Sequence, residues 1–447
     1  MPEDEPPINN VINLKHDLMH VLAYKAAHGE GGGDYIYCVD TDQFYFYNVG
    51  VWEMIFDTSL LARICRAMPN LNIYSITTRK KLLDNLKLIK EKPLSEFNRQ
   101  AVLNLSNGTI DPYNPVIQEH TPDTYSTIKM PYVYDTAAEC TLWLKTLNEI
   151  FEDDQKKINA LQEFVGYCLT RDVKMEKGLL LLGASRSGKS TIIHTIEHLI
   201  GKNNCAYLAL KNLSNPQYTS MLINKLVNID TDVSKRATDY EDEYKKIATG
   251  ESINCNGKWE KTISIKPFCK MVLSANEFPR ITDHSSAFFN RLILLPCDRV
   301  FEEHEQNRNL REELLKELPG VMNWALAGLK RLTERGMFLK EDFMREAVEE
   351  LRLQNNPAEI FLNDFIVPDI TGNYEIVKGE LYDKYKVWCK ETENWTLSAA
   401  KFSSCVFAKY GKYTPKNTNN VVTNKRVWRN LRYIDGHEQQ QAVNWTD

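Results

Sequence analysis

The run Leu179-Leu180-Leu181-Leu182-Gly183-Ala184-Ser185-Arg186-Ser187-Gly188-Lys189-Ser190-Thr191 decides the fold. An apolar strand leads into the pattern GxxxxGKS. Ile192, Ile193, Ile196, Leu199 and Ile200 then recur at helical spacing as far as Gly201, where a C-terminal cap belongs. Gly183 and Gly188 let the backbone curl, so that the N–H groups between them face one point at the positive end of the helix. Phosphate oxygens fit there, held by Gly183, Ala184, Ser185, Arg186, Ser187, Gly188, Lys189, Ser190 and Thr191. Lys189 has the reach for the β- and γ-phosphates, and the Ser190 hydroxyl can hold Mg²⁺. Strand, loop and helix in this order point to a nucleoside triphosphate.

Around this run, from about 175 to 300, apolar strands alternate with helices, which predicts an α/β core on a parallel sheet. Its strands fall at 178–182, 206–210, 225–229, 270–275 and 291–296. The strand 225–229 runs into Asp230-Thr231-Asp232, where a carboxylate can orient Mg²⁺ or the attacking water. Lys270–Ala275 ends at Asn276, which is placed either to sense the γ-phosphate or simply to turn the chain before Pro279. Arg291 opens the last strand after Phe288-Phe289-Asn290, either as an arginine finger for a neighbouring subunit or as a structural salt bridge. Between acid and sensor, Asn256-Gly257 signals a hairpin with Lys258, Trp259 and Lys261 at its tip. Residues 254–270 carry a net charge of +3. A basic hairpin bearing an aromatic can grip a nucleic-acid backbone, although such hairpins are more often plain surface turns.

Composition narrows the classes. The 447 residues suggest about three domains. The 43% apolar share supplies real cores, and no apolar run approaches the roughly 18 residues of a membrane span. The opening MPEDEPPINN is acidic and proline-rich, unlike a signal peptide. Ten scattered cysteines without a CxxC pair argue against zinc and for reduced thiols in a cytoplasmic setting, with no membrane partner. The net charge of −5 does not favour nucleic acid, but its distribution does: residues 401–432 carry +8 with no Asp or Glu, interleaved with Phe402, Phe407, Tyr410, Tyr413 and Trp428.

The rest of the chain divides by pattern. Residues 1–33 form an arm with a helix ending in HGEGGG, and residues 34–53 alternate as a β-hairpin. Residues 58–100 are mostly helical, and Asn107-Gly108 turns a second hairpin over 103–111. Two helices fill 137–171, with Trp143, Leu144, Leu147, Ile150 and Phe151 predicted on one apolar face. Helices return from 305 to 354 and break at Asn355-Asn356-Pro357. A small α+β module follows to about 435, and a polar tail closes the chain.

Taken in order, GASRSGKST, KLVNIDTD, KKIATGESI, the GKWEK hairpin, KMVLSANEFP and FFNRLILLP resemble a superfamily 3 helicase, a branch of the AAA+ ATPases. The set is similar to the helicase part of phage, plasmid and poxvirus-type primase-helicases. LNLSNGTID, YSTIKMPYVYD (125–135) and LQEFVGYCLT resemble that group's pre-helicase domain. ELPGVMNWALAGLKRL resembles its post-ATPase helices, and residues 380–411 its C-terminal winged-helix domain. The resemblance covers roughly 100–430. It implies a 34–172 N-terminal domain, a 173–300 ATPase core, 301–356 post-ATPase helices and a 357–435 winged-helix-like module.

The resemblance also implies roles. ATP is the nucleotide and Mg²⁺ the cofactor, held by Ser190 and Asp232 with Asp230 as a second acid. Asn276 is the sensor, Arg291 the finger and Lys258 the DNA contact. The group often carries two adjacent arginines at the finger, whereas here Asn290 holds the first place. Only about 100 residues precede the resemblance, too few for a primase domain. The chain therefore reads as a stand-alone helicase or a part of a longer one, with a primase or polymerase acting in trans or on the parent chain.

The expected activity is ATP-dependent translocation on single-stranded and forked DNA by a homo-oligomer, which the resemblance makes a hexamer. DNA contacts are expected at Lys258, Trp259 and Lys261, and at Lys425, Arg426 and Arg429 in the C-terminal module. Two alternatives remain open: a packaging motor or loader that never separates strands, and an origin-binding initiator whose ATP use only locks assembly.

Overall fold

The computed structural model describes residues 22–27, 32–233, 241–256, 262–277, 288, 290–354, 356–392, 394–414, 418–420 and 425–434. The described residues fall into two compact units, one running to Glu341 and the other starting at Asp342. The helix Asp342–Gln354, read from sequence with the post-ATPase helices, belongs to the second unit.

The first unit begins with a meander. Tyr35–Cys38, Gln43–Asn48 and Val51–Ile55 pair antiparallel, and Glu91–Lys92 adds a short parallel edge beside the first. The hairpin expected over 34–53 thus gains a third strand and a sheet of its own. Period-2 alternation sends Tyr35 and Phe44 to one face, against Leu60, Ile64, Leu82 and Leu86 of the helices Asp57–Ala67 and Ile76–Ile89. Ile36, Tyr45 and Trp52 pack with Phe97 on the other face. A second sheet, Leu103–Leu105, Gly108–Asp111 and Asn114–Gln118, turns at Asn107-Gly108. There a Cβ on Gly108 would stand 2.6 Å from the Gln118 carbonyl.

Next come the helices Thr141–Phe151 and Gln155–Cys168. Trp143, Leu147, Ile150 and Phe151 are buried as expected, but Leu144 is 40% exposed. It sits one residue, about 100° of helix, away from Trp143, which carries it off the buried stripe. The residue before this helix, Cys140, supplies no capping acceptor. Instead Glu317, far along the chain, accepts the Leu142 and Trp143 N–H groups at 3.0 and 2.9 Å. A carboxylate there satisfies orphan donors and complements the helix dipole. Glu317→Ala is expected to lower unfolding stability by about 1–2 kcal/mol, the usual worth of a lost cap, read as an earlier urea midpoint.

The helix Leu318–Arg335 lies against Gln155–Cys168 at the distance that only glycine allows. A Cβ on Gly166 would stand 2.3 Å from the Ala325 carbonyl, and one on Gly328 would stand 2.5 Å from the Gln162 carbonyl. Beside this crossing, the buried Glu163 carboxylate accepts from Arg331 at 2.7 Å and also pairs with Arg335.

The core sheet runs Leu292–Pro296, Gly178–Leu182, Lys270–Ala275, Val227–Asp230, Cys205–Ala206, and every adjacent pair is parallel. The strand expected at 206–210 shrinks to Cys205–Ala206. Beyond it, the buried Asn228 side chain accepts from the Leu208 N–H and donates to the Leu208 carbonyl, both at 2.8 Å, and draws the chain off the ladder. All ten cysteines are free thiols, nine of them buried. No helix among the described residues is long and apolar enough to cross a membrane.

The second unit packs the helices Pro357–Phe365, Lys378–Glu391 and Ala399–Tyr410 around Phe361, Tyr385 and Phe402. Two small antiparallel sheets close it: Ile366–Pro368 with Leu431–Tyr433, and Glu375–Val377 with Arg426–Arg429 and Thr418–Asn419.

Candidate functional site

Parallel pairing fixes which residues share an end of the core sheet. Leu182 is opposite Ala275, so the 183–188 loop and Asn276 leave the sheet side by side, and the Gly183 N–H reaches the Ala275 carbonyl at 3.3 Å. Asp230 is opposite Leu273, and the chain after it folds over the same edge, where the Val233 N–H donates to the Ser274 carbonyl at 3.0 Å. Strand order reverses at Gly178–Leu182. The chain leaves it toward the Cys205–Ala206 edge, while Leu292–Pro296 lies on its other side. The carboxyl end of such a switch point is where open α/β sheets form their ligand crevice.

The loop is pinned from outside. Leu182 and Arg186 carbonyls accept from the Cys297 and Phe301 N–H groups at 2.7 and 3.0 Å. A Cβ on Gly183 would stand 2.1 Å from the Cys297 carbonyl, and Gly188 sits at φ +87° against Ile150, so both glycines are required sterically. Among the described residues none accepts a hydrogen bond from the backbone N–H groups of Arg186, Ser187, Gly188 or Lys189. Lys189 is 6% exposed, and its ammonium donates to the carbonyls of Gly183 and Ala184 at 2.6 and 2.7 Å and to Ser187 Oγ at 3.2 Å. Burial lowers its pKa, opposed in part by the nearby Cys297 thiol. A desolvated cation bonded only to neutral oxygens, beside four open N–H donors, suits a phosphate group. Ser190 and Thr191 open the helix Lys189–Ile200, with the Ser190 side chain exposed; Ala184 and Ser185 are exposed on the loop.

Asp230 is partly engaged, its carboxylate accepting from the Leu210 N–H at 2.8 Å and the Asp232 N–H at 3.4 Å. Asp232 and Asn276 are exposed at the same end of the sheet. Of the two acids, Asp232 is therefore the more open to a hydrated metal ion.

Arg291 stands apart from this group. It precedes Leu292, which is opposite Gly178, so it lies at the amino end of the sheet. Five residues of strand separate that level from Gly183, about 17 Å. Its guanidinium pairs with Glu176 at 3.1 Å, and its carbonyl accepts from the Gly178 N–H and the Tyr244 hydroxyl. Lys177 joins it there and was not singled out from sequence, since a lysine before a strand carries no signal of its own. Burial, reinforced by Lys340 and Arg291, pushes its ammonium down to about 8.

The strands Ile253–Asn256 and Thr262–Ile265 form the expected hairpin, with Asn256 opposite Thr262. Its tip, with Lys258, Trp259 and Lys261, lies outside the described residues. In the second unit, Lys425 pairs with Glu380 at 3.4 Å, Arg426 is exposed, and Arg429 donates to the Asn419 carbonyl at 3.2 Å.

Comparison with known proteins adds likenesses along most of the chain. Residues 21–152 match the D5 N terminal like family, and residues 181–291 match a family of unknown function, DUF5906. The DNA Primase-polymerase of Nitratiruptor phage NrS-1 is 23% identical over 190 residues, 41% of this chain. The "Putative helicase 184R" of Invertebrate iridescent virus 6 is 22% identical over 406 residues, 79% of this chain. The chain spans only 26% and 40% of the length of these two relatives. The apo structure of the NrS-1 C terminal region superposes with a TM-score of 0.54 at 13% identity, covering 91% of this chain and 98% of that one. A likeness at this level shows a shared mixed α/β fold.

Proposed function

We propose that the chain is an ATP-dependent replicative DNA helicase of superfamily 3, built on an AAA+ core with a winged-helix-like C-terminal module. One observation carries the reading: Lys189, Asp232 and Asn276 share the carboxyl end of the sheet, whereas Arg291 lies about 17 Å away at the other end. An arginine so placed is out of reach of its own loop and suited to serve a neighbour's, which requires a ring or another head-to-tail oligomer. A hexamer is the form the resemblance implies. The names of the two relatives, a helicase and a primase-polymerase, agree with a place in DNA replication.

ATP would bind with its phosphates on the loop N–H groups and Lys189. Ser190 and Asp232 would hold Mg²⁺, which supplies charge neutralisation at the phosphates. Asn276 would orient the attacking water. Arg291, with Lys177 beside it, would stabilise charge on the nucleotide of the next subunit, exchanging its Glu176 partner for phosphate.

The hairpin would carry the DNA contact, with Lys258, Trp259 and Lys261 on single-stranded DNA, and Lys425, Arg426 and Arg429 on the fork. The deciding experiment is unwinding of forked DNA by the purified chain with ATP and Mg²⁺; hydrolysis without strand separation would favour a loader or packaging motor. Lys258→Ala is expected to weaken single-strand binding without sequence preference, flatten its salt slope by about 0.7, and uncouple hydrolysis from unwinding. A variant that unwinds at the parent rate would remove the hairpin from the translocation mechanism.

A further inference from the structure

Ile370 is 95% exposed, more than any other large apolar residue among those described. It stands on a turn that is tightly braced. The Asp369 carboxylate accepts from the Thr371 N–H and hydroxyl at 2.9 and 2.6 Å, from the Asn373 N–H at 2.8 Å and from the Tyr374 N–H at 2.9 Å. These bonds hold its pKa down at about 2, so the brace persists across the working pH range. Gly372 takes φ +73° to close the turn. An apolar side chain on a loose loop can fold down onto the surface, but this turn holds Ile370 clear of the protein.

The surroundings suit a nucleic acid. Three segments meet at Asn430: its carbonyl accepts from the Asp369 N–H at 2.8 Å, its N–H donates to the Tyr374 carbonyl at 2.9 Å, and its side-chain amide donates to the Tyr413 carbonyl at 2.9 Å. Tyr374 is 53% exposed and Tyr413 36% exposed beside the tip. Lys412 lies 4.8 Å from the centre of the Tyr413 ring, and Arg429 flanks Asn430 on the sheet. The carboxylates nearby are occupied, Asp369 by the turn and Glu375 by Asn420 and Arg429. Residues 394–434 contain no Asp or Glu at all.

We propose that Ile370 is a wedge that enters a base step of duplex DNA, with Tyr374 and Tyr413 available to stack on the displaced bases and Lys412 holding the backbone. Apolar side chains inserted between base pairs unstack and kink a duplex in this way, and tyrosines stack on unpaired bases without sequence preference. The proposal rests on the DNA-handling reading above and adds the chemistry of one contact.

The test uses the full chain and forked DNA carrying 2-aminopurine at successive positions from the junction, with no ATP. Binding of the parent chain is expected to raise fluorescence at least threefold at one or two adjacent positions. Ile370→Ser is expected to remove that rise while the affinity for the fork falls less than tenfold, and Ile370→Leu to keep it. A rise that survives Ile370→Ser overturns the wedge. Tight binding with no rise at any position overturns the wedge but leaves the DNA reading intact. No binding to any DNA at low salt overturns both. If Ile370→Ser changes only self-association, measured by light scattering, the residue serves a protein interface and the proposal fails.

Discussion

A Lys189→Ala chain is expected to hydrolyse ATP about 10²–10³-fold more slowly than the parent, the usual effect of removing one preorganised charge-stabilising donor. The ammonium is bonded only to loop oxygens, at 2.6, 2.7 and 3.2 Å, so its removal leaves the Cys297 and Phe301 bonds that pin the loop in place. Circular dichroism should show an unchanged spectrum and a melting temperature within a few degrees. Retention of more than a tenth of parent turnover would contradict the role given to Lys189.

Arg291→Ala is expected to bind nucleotide normally and to lose about 10³–10⁵ in hydrolysis, the range for an arginine finger. Mixing it with the Lys189→Ala chain should restore turnover, because some junctions then combine an intact loop with an intact finger. The ion pair with Glu176 offers the competing explanation, and Glu176→Gln separates the two. If the pair is what matters, both substitutions should cost alike. If the finger matters, Glu176→Gln should stay near parent activity, because a pair with side chains 23% and 48% exposed contributes about 0–1 kcal/mol. Absence of recovery in verified mixed oligomers would count against Arg291 as a finger.

Much of the core was legible because short-range patterns carry it. The apolar pattern places Gly178–Leu182 and Lys270–Ala275 at their observed bounds, and the strands at 225–229 and 291–296 to within one or two residues; the GxxxxGKS loop and the helix from Lys189 follow from spacing alone. Strand order was not legible, since it depends on which strands meet in space; the separation of Arg291 from Lys189 follows instead from the shared direction of the strands, Arg291 opening one and Lys189 following the end of another. Cys205–Ala206 fell short of its expected length because Asn228, on a neighbouring strand, holds the backbone of Leu208. Glu317 as a helix cap and Lys177 beside Arg291 were equally invisible, because each acts on residues distant in sequence or at an unremarkable position. The braced turn under Ile370 could have been suspected from Asp369-Ile370-Thr371-Gly372, but its exposure could not.

The glycine-tight crossing of Gln155–Cys168 and Leu318–Arg335 sets where this chain tolerates shortening. A fragment that starts at residue 173 would leave Arg331 and Arg335 facing the site of a vanished carboxylate, and would uncover Trp324 and Leu329. Such a fragment should aggregate when expressed alone, whereas one ending at Glu341 retains both helices of the crossing. Limited proteolysis should accordingly cut near residue 341 and spare the 168–178 connection. The N-terminal segment then acts as a brace for the core sheet as much as a separate module.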